Sequence, residues 1–222
     1  MDKTNPAEWQ AVKPKSIVTI SDAQGIQDSM RRGLGVRGLD YTVRSVALCE
    51  QLDCLSTHLI FTLDDAEQAA FLLVKIVDDL VDLTLYFEPP GLSGGERTDL
   101  LDRGMHWLFQ TPADLNSFEP SELRYTTSLV QTVPGAAGAP PLELLYTLKP
   151  QGELQCHYSE SPARAGLPAQ MLATLVEYRC DQPAENPEFL ILEVGEERSR
   201  RSFLRFFLGC PIGLSEVDVL GI

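Results

Sequence analysis

Long apolar runs are missing from this 222-residue sequence. The longest, Ala69 to Val74, falls far short of the roughly 20 residues a membrane-spanning helix needs, so no helical span is expected. Cysteine is sparse as well: Cys49, Cys54, Cys156, Cys180 and Cys210 are odd in number and lack a paired framework, which suits a reducing compartment. The first residues, Met1 to Pro6, have no apolar core after a basic start, so they do not read as a secretory signal and the expected location is the cytoplasm. Zinc requires about four nitrogen or sulfur ligands at short paired spacings. Cys49 and Cys54 have no second pair nearby, Cys156 and His157 are adjacent and would point to opposite faces of a strand, and His58 and His106 sit in apolar contexts. No metal or other cofactor is therefore expected. No serine stands in a Gly-x-Ser-x-Gly elbow, Ser93 in Leu92-Ser93-Gly94-Gly95 being the nearest approach. The glycine-rich run Arg31 to Gly38 lacks the Lys-Ser/Thr ending of a phosphate loop and reads as a linker or turn. Asp78, Asp79 and Asp82 lack the glycine-containing spacing of a calcium loop and read as a solvated turn or face.

Acidity is abundant and uneven. The formal net charge is -14, and residues 50 to 102 hold 12 acidic against 2 basic side chains. Such a surface repels phosphate backbones, so nucleic acid and anionic lipid are not expected partners of that half of the chain. Positive charge gathers later, at Arg198, Arg200, Arg201 and Arg205. Arginine is favoured in interfaces and bidentate carboxylate contacts, so these four are the candidate interaction residues, pairing either with the acidic first half or with another protein.

Apolar patterning points to sheet. Met171 to Val194 reads as a β-hairpin, with Leu172 to Tyr178 and Phe189 to Val194 of strand length and composition, and with Pro183 and Pro187 in the connection ruling out one helix. This hairpin is expected at the centre of a sheet. Residues 1–40 are broken by Pro6, Pro14 and several glycines and are expected to form a partly mobile arm. Within it, Ser16 to Ile20 suits an extended segment docked on the body and Asp22 to Met30 a short helix. Residues 41–222 are expected to form a single sheet-rich domain. Tyr41 to Leu48 and Leu55 to Leu63 predict a second hairpin. Ala66 to Asp82 fits either an amphipathic helix behind an Asp64/Glu67 capping box or a strand pair, Ala70 to Val77 and Val81 to Phe87, turning at Asp78-Asp79; the strands are favoured. Thr98 to Phe109 predicts a short helix weakened by Gly104. Further strands are expected at Leu123 to Val133, Leu142 to Leu148, Leu154 to Tyr158 and Arg201 to Leu208. The fold class is thus α+β: a sheet-rich single domain of mainly antiparallel strands with one or two short helices.

The C-terminal third carries a resemblance in Leu175-Val176-Glu177-Tyr178, in Glu188 to Glu197 and in Gly213 to Gly221. These segments resemble the YjfK-like family of uncharacterised bacterial proteins. The resemblance implies a cytoplasmic bacterial protein with no assigned catalytic residues, from a family whose relatives can be encoded near PspA-like membrane-stress proteins. Without a catalytic constellation, the expected function is a non-catalytic accessory or adaptor protein acting on another protein in a bacterial cytoplasmic assembly. The alternative is a hydrolase or small-molecule-binding protein whose site is assembled from sequence-distant residues, such as Asp or Glu of the 64 to 102 region with His106 or His157. A deep pocket with convergent polar groups of shifted pKa separates the second from the first.

Overall fold

A computed structural model of the chain describes residues 1–21, 40–52, 56–64, 69–89, 91–110, 124–133, 140–162, 171–180, 187–195 and 202–221. Helix α1 (Pro6–Gln10) is capped by the Asn5 side chain, which accepts from the Ala7 N–H at 3.1 Å, and it starts on a proline where no N–H is needed. Strand β1 (Ile17–Ile20) follows, and then a four-stranded meander of β2 (Asp40–Gln51), β3 (Ser56–Asp64), β4 (Ala69–Val77) and β5 (Leu80–Phe87). Short pieces intervene: β6 (Gly95–Glu96), α2 (Arg97–Asp102), a 3-10 turn at Met105–Leu108, β7 (Phe109–Gln110), β8 (Arg124–Tyr125) and β9 (Ser128–Val133). A second meander comprises β10 (Leu142–Ser161), β11 (Met171–Cys180), β12 (Glu188–Gly195) and β13 (Ser202–Ile212), and β14 (Val217–Leu220) ends the chain.

The two meanders close on each other. Strand β5 pairs with β13 from Leu83↔Ile212 to Phe87↔Leu208, and the far end of β10 pairs with β2 from Val46↔Ser161 to Gln51↔Cys156. The result is an eight-stranded antiparallel barrel in the order β2-β3-β4-β5-β13-β12-β11-β10. Closure removes the edges that an open sheet would expose. Strands β2 and β10 are long enough to leave the barrel, and there β2 carries β1 and β14 while β10 carries β9.

A barrel of eight strands leaves an interior that side chains can fill. Here all eight contribute to one apolar cluster, including Cys49, Ile60, Phe71, Leu73, Tyr86, Cys156, Leu175, Leu190 and Phe207. The Phe207 ring meets Phe71 edge-on at 4.8 Å and Tyr86 at 6.2 Å. Opposite parity faces outward into a second cluster that joins Phe61, Leu72, Leu85, Ile191 and Phe206 to Trp9, Val18, Leu100, Phe109, Tyr146 and Val219. Both faces of most barrel strands are therefore buried, which is why β4 and β12 read as nearly unbroken apolar runs.

The sheet-rich antiparallel architecture and the strand reading of residues 70–87 agree with the sequence, and Asp78, at φ +54°, makes the tight turn between β4 and β5. Three expectations need correction. The helix expected over Thr98 to Phe109 stops at Asp102, because Gly104 adopts a left-handed φ of +83° and the chain restarts as a 3-10 turn. The strands expected separately at Leu142 to Leu148 and Leu154 to Tyr158 are one strand, β10, whose Pro150-Gln151-Gly152 forms a bulge rather than a loop. The strand expected over Leu123 to Val133 is divided into β8 and β9. Residues 6–20 are docked: Trp9 is fully buried, stacks on Phe61 at 6.3 Å and donates from its indole to the Lys3 carbonyl at 2.9 Å, and β1 sits between β2 and β14. The helix expected over Asp22 to Met30 lies outside the described residues. Among the described residues no helix is long and apolar enough to cross a membrane.

Candidate binding site at the barrel mouth

The barrel interior is apolar in its middle and polar at both ends. At one end Ser45 donates to the Glu160 carboxylate at 2.9 Å and Tyr158 donates to it at 3.3 Å, while Arg205 pairs with Glu88 at 2.8 Å. The Arg205 guanidinium also lies 4.6 Å and 5.2 Å from the ring centres of Phe71 and Phe207, so it covers the aromatic core while its side chain stays 33% exposed. Arg198, Arg200 and Arg201 lie outside the described residues.

The other end holds a denser arrangement. Lys75 near the end of β4, Glu177 near the end of β11, Glu188 at the start of β12, and Thr84 and Tyr86 on β5 converge there with Lys149 from the β10 bulge. Lys75 Nζ donates to both oxygens of Glu177, at 3.0 and 3.2 Å. Lys149 Nζ bridges the two carboxylates, at 3.1 Å to Glu177 and 2.5 Å to Glu188. Glu188 Oε2 accepts from the Tyr86 hydroxyl at 3.0 Å and from Thr84 at 3.3 Å. Beneath them His58, wholly buried, sits 3.4 Å from Glu177 Oε1, with neither ring nitrogen aligned for a hydrogen bond.

Local sequence explains how these groups meet. Between the pairs Leu148↔Tyr178 and Glu153↔Val176, residues 149–152 of β10 face Glu177 alone, so the bulge swings Lys149 over the barrel end. Gly152 permits it: a Cβ there would lie 2.6 Å from the Glu177 carbonyl oxygen and 2.8 Å from that of Lys149. Tyr86 is placed by another glycine. Its ring covers Gly209 across the β5–β13 seam, where a Cβ would lie 2.2 Å from the Leu85 carbonyl oxygen and 2.6 Å from the ring itself.

Electrostatics follow from burial and pairing. Burial would raise the Glu177 carboxyl, but His58, Lys75 and Lys149 outweigh it and hold the group well below the usual carboxylate range. Burial would lower the Lys149 ammonium, and Glu177 and Glu188 reverse that, leaving its pKa raised. Burial, then Glu188 and Glu177, push the Tyr86 phenol well above its ordinary value, so Tyr86 stays a donor. Lys75, Lys149, Glu177 and Glu188 line a cavity of about 550 Å³ together with Asp82, the segment Pro211 to Ser215 and apolar side chains such as Leu73 and Leu83.

A separate polar knot sits on the barrel's outer face, where Glu193 accepts from Arg97, Tyr125 and Ser202, and Arg97 lies 5.3 Å from the Phe109 ring centre. It pins α2 and the β7–β8 ribbon to β12.

Of the four arginines taken from sequence as candidate interaction residues, only Arg205 is described, and it stands at the end opposite the cavity. Asp78, Asp79 and Asp82 are exposed, with Asp82 at the cavity rim. His106 and His157 are exposed and remote from the cluster, while Cys156 faces the barrel interior, opposite to His157. Lys75, Lys149, Glu177, Glu188 and His58 were not anticipated as a site. Fold and cavity together define an antiparallel eight-stranded barrel with a charged mouth. No family model matches the chain, and no curated protein or solved structure matches it.

Proposed function

We propose that this chain is a small-molecule-binding barrel whose ligand enters the mouth lined by Lys75, Lys149, Glu177 and Glu188. One observation carries the reading: an open cavity of about 550 Å³ into which sequence-distant charged groups converge. Its size falls within the range of ligand sites, roughly 300–1,000 Å³, and it combines apolar walls with a few fixed polar groups, as such sites do. Binding is favoured over catalysis because, among the described residues, Thr84 and Tyr86 both donate to Glu188, Tyr86 is held protonated, and the third nearby hydroxyl, Ser215, has no histidine or other base hydrogen-bonded to it. The adaptor role expected from the arginine cluster draws no support from Arg205, whose guanidinium is engaged with Glu88 and two rings.

A fragment library screened against isotope-labelled protein tests the proposal. Binders should shift the backbone amides of Lys75, Thr84, Glu177 and Leu214 saturably. Hits confined to other surfaces would sink it.

A further inference from the structure

We infer that the mouth cavity receives the anionic group of an organic ligand, a carboxylate or a phosphate ester, between the ammonium groups of Lys75 and Lys149. The inference rests on the ligand-binding reading above and follows from counting hydrogen-bonding capacity. A lysine ammonium has three donors and no acceptor. Lys75 places two of its donors on Glu177, and Lys149 places one on Glu177 and one on Glu188. Among the described residues each ammonium keeps one donor, and both line the cavity, their side chains 29% and 22% exposed. The carboxylates are, by contrast, withdrawn from the cavity, their side chains 3% and 11% exposed, and each keeps a single acceptor site, on Oε1. Glu177 Oε1 takes Lys75 and faces His58, Glu177 Oε2 takes both lysines, Glu188 Oε1 takes Lys149, and Glu188 Oε2 takes Tyr86 and Thr84. Within this cluster the capacity most accessible from the cavity is therefore donor capacity carried on the two cations, which complements an oxyanion. Leu73, Ile212 and Leu214, which line the same cavity, fit a short apolar body attached to that anion, so an organic acid or ester suits the cavity better than a bare ion. Asp82 at the cavity rim opposes this locally but is exposed and screened by water, and salt screens the rest of the net charge of -14 beyond about 8 Å at physiological ionic strength.

The test titrates labelled protein, at constant ionic strength set with sodium chloride, with hexanoate, with hexanol as its neutral counterpart and with inorganic phosphate. We expect hexanoate to shift the amides of Lys75, Lys149, Glu177 and Leu214 saturably, with hexanol about tenfold weaker, as one charge-assisted hydrogen bond contributes. Lys149→Gln should weaken hexanoate by about tenfold and leave hexanol unchanged. Because that variant deprives Glu188 of its ionic partner, the double variant Lys149→Gln/Glu188→Gln, which removes both charges, is measured beside it and should show the same selective loss. Phosphate shifting these amides at lower concentration than hexanoate would assign the headgroup as phosphate, and the reverse would assign a carboxylate. Hexanol and hexanoate binding equally at these amides, or hexanoate affinity unchanged in both variants, would overturn the anion assignment while leaving the ligand-binding barrel standing. Shifts reproduced by chloride alone would also overturn it. If neither hexanoate, hexanol nor any fragment reaches these amides, both readings fall.

Discussion

Replacing Glu177 by Gln probes the barrel mouth most directly. The side chain is 3% exposed and accepts three lysine hydrogen bonds between 3.0 and 3.2 Å, with His58 at 3.4 Å. Glutamine keeps the shape but removes the charge, leaving Lys75 without its ion pair and Lys149 with Glu188 alone. Breaking a buried ion pair by removing one partner costs roughly 3–5 kcal/mol. Both lysines retain some contact with water and can retreat into it, so the cost here should fall near the lower bound, about 3 kcal/mol. For a chain of this size that corresponds to a drop of roughly 6–12 °C in Tm. Glu88→Gln is the control, because Glu88 is 57% exposed and its pair with Arg205 should contribute about 1 kcal/mol or less. The dependence on pH gives a second check. The folded pKa of Glu177 is depressed below its ordinary value of 4.5, so its stabilisation is complete above that pH and is lost as pH falls through the folded pKa. Thermal and urea unfolding should therefore show a gap between wild type and Glu177→Gln that is full at neutral pH and narrows below about 4.5. A variant melting no further from wild type than Glu88→Gln, or a gap that does not change on acidification, would refute an ionised, tightly held Glu177.

Three further substitutions address the elements that build the barrel. Gly152→Ala should cost about 2–3 kcal/mol in urea unfolding, because its Cβ meets backbone oxygens on both sides, and should return the Lys149 pKa toward an ordinary lysine value in an NMR titration; an unshifted Lys149 would mean that the bulge does not position it. Phe207→Ala, which empties the centre of the barrel between Phe71 and Tyr86, should cost about 3–5 kcal/mol by the same measurement, and a cost below 1.5 kcal/mol would contradict a filled interior. Arg205→Gln should cost about 1–2 kcal/mol, the combined contribution of one partly exposed pair and two ring contacts, and a change below 0.3 kcal/mol would show that the guanidinium is merely solvated.

Sequence legibility varied with the range of the interaction. The β11–β12 hairpin was readable because its apolar strands and intervening prolines are local, and so was β2–β3. Ala69 to Val77 was ambiguous because β4 is buried on both faces, which erases the alternation that would have separated it from a helix. Pro150-Gln151-Gly152 imitated a loop, since the same residues favour a turn or a bulge and only the neighbouring strand decides between them. Barrel closure was invisible. It depends on Cys156 to Ser161 meeting Gln51 to Val46, more than 90 residues away, and no local pattern encodes that pairing.

The site was hidden for a related reason. Lys75 in Phe71-Leu72-Leu73-Val74-Lys75-Ile76-Val77 and Glu177 in Leu175-Val176-Glu177-Tyr178 each appear locally as a single polar interruption of an apolar strand, and His58 follows Ser56 and Thr57 at the polar start of one. Taken one at a time, such a residue usually marks a solvent-facing position. Parity was the signal that could have separated them: Lys75 shares a face with Leu73 and Phe71, Glu177 with Leu175 and Ala173, and His58 with Ile60, all in the interior cluster or beside it. A charge on the inward face of a strand buried on both sides must find its counter-charge inside the same fold, because leaving it unpaired would cost more than most domains can absorb. Lys75 and Glu177 satisfy this by pairing at one barrel end, with His58 beside them, while Arg205 satisfies it with Glu88 at the other. Lys149 completes the first of these ends from a bulge whose inward direction depends on a glycine, as the placing of Tyr86 depends on Gly209, so Gly152 and Gly209 rather than any charged residue decide whether the mouth is assembled.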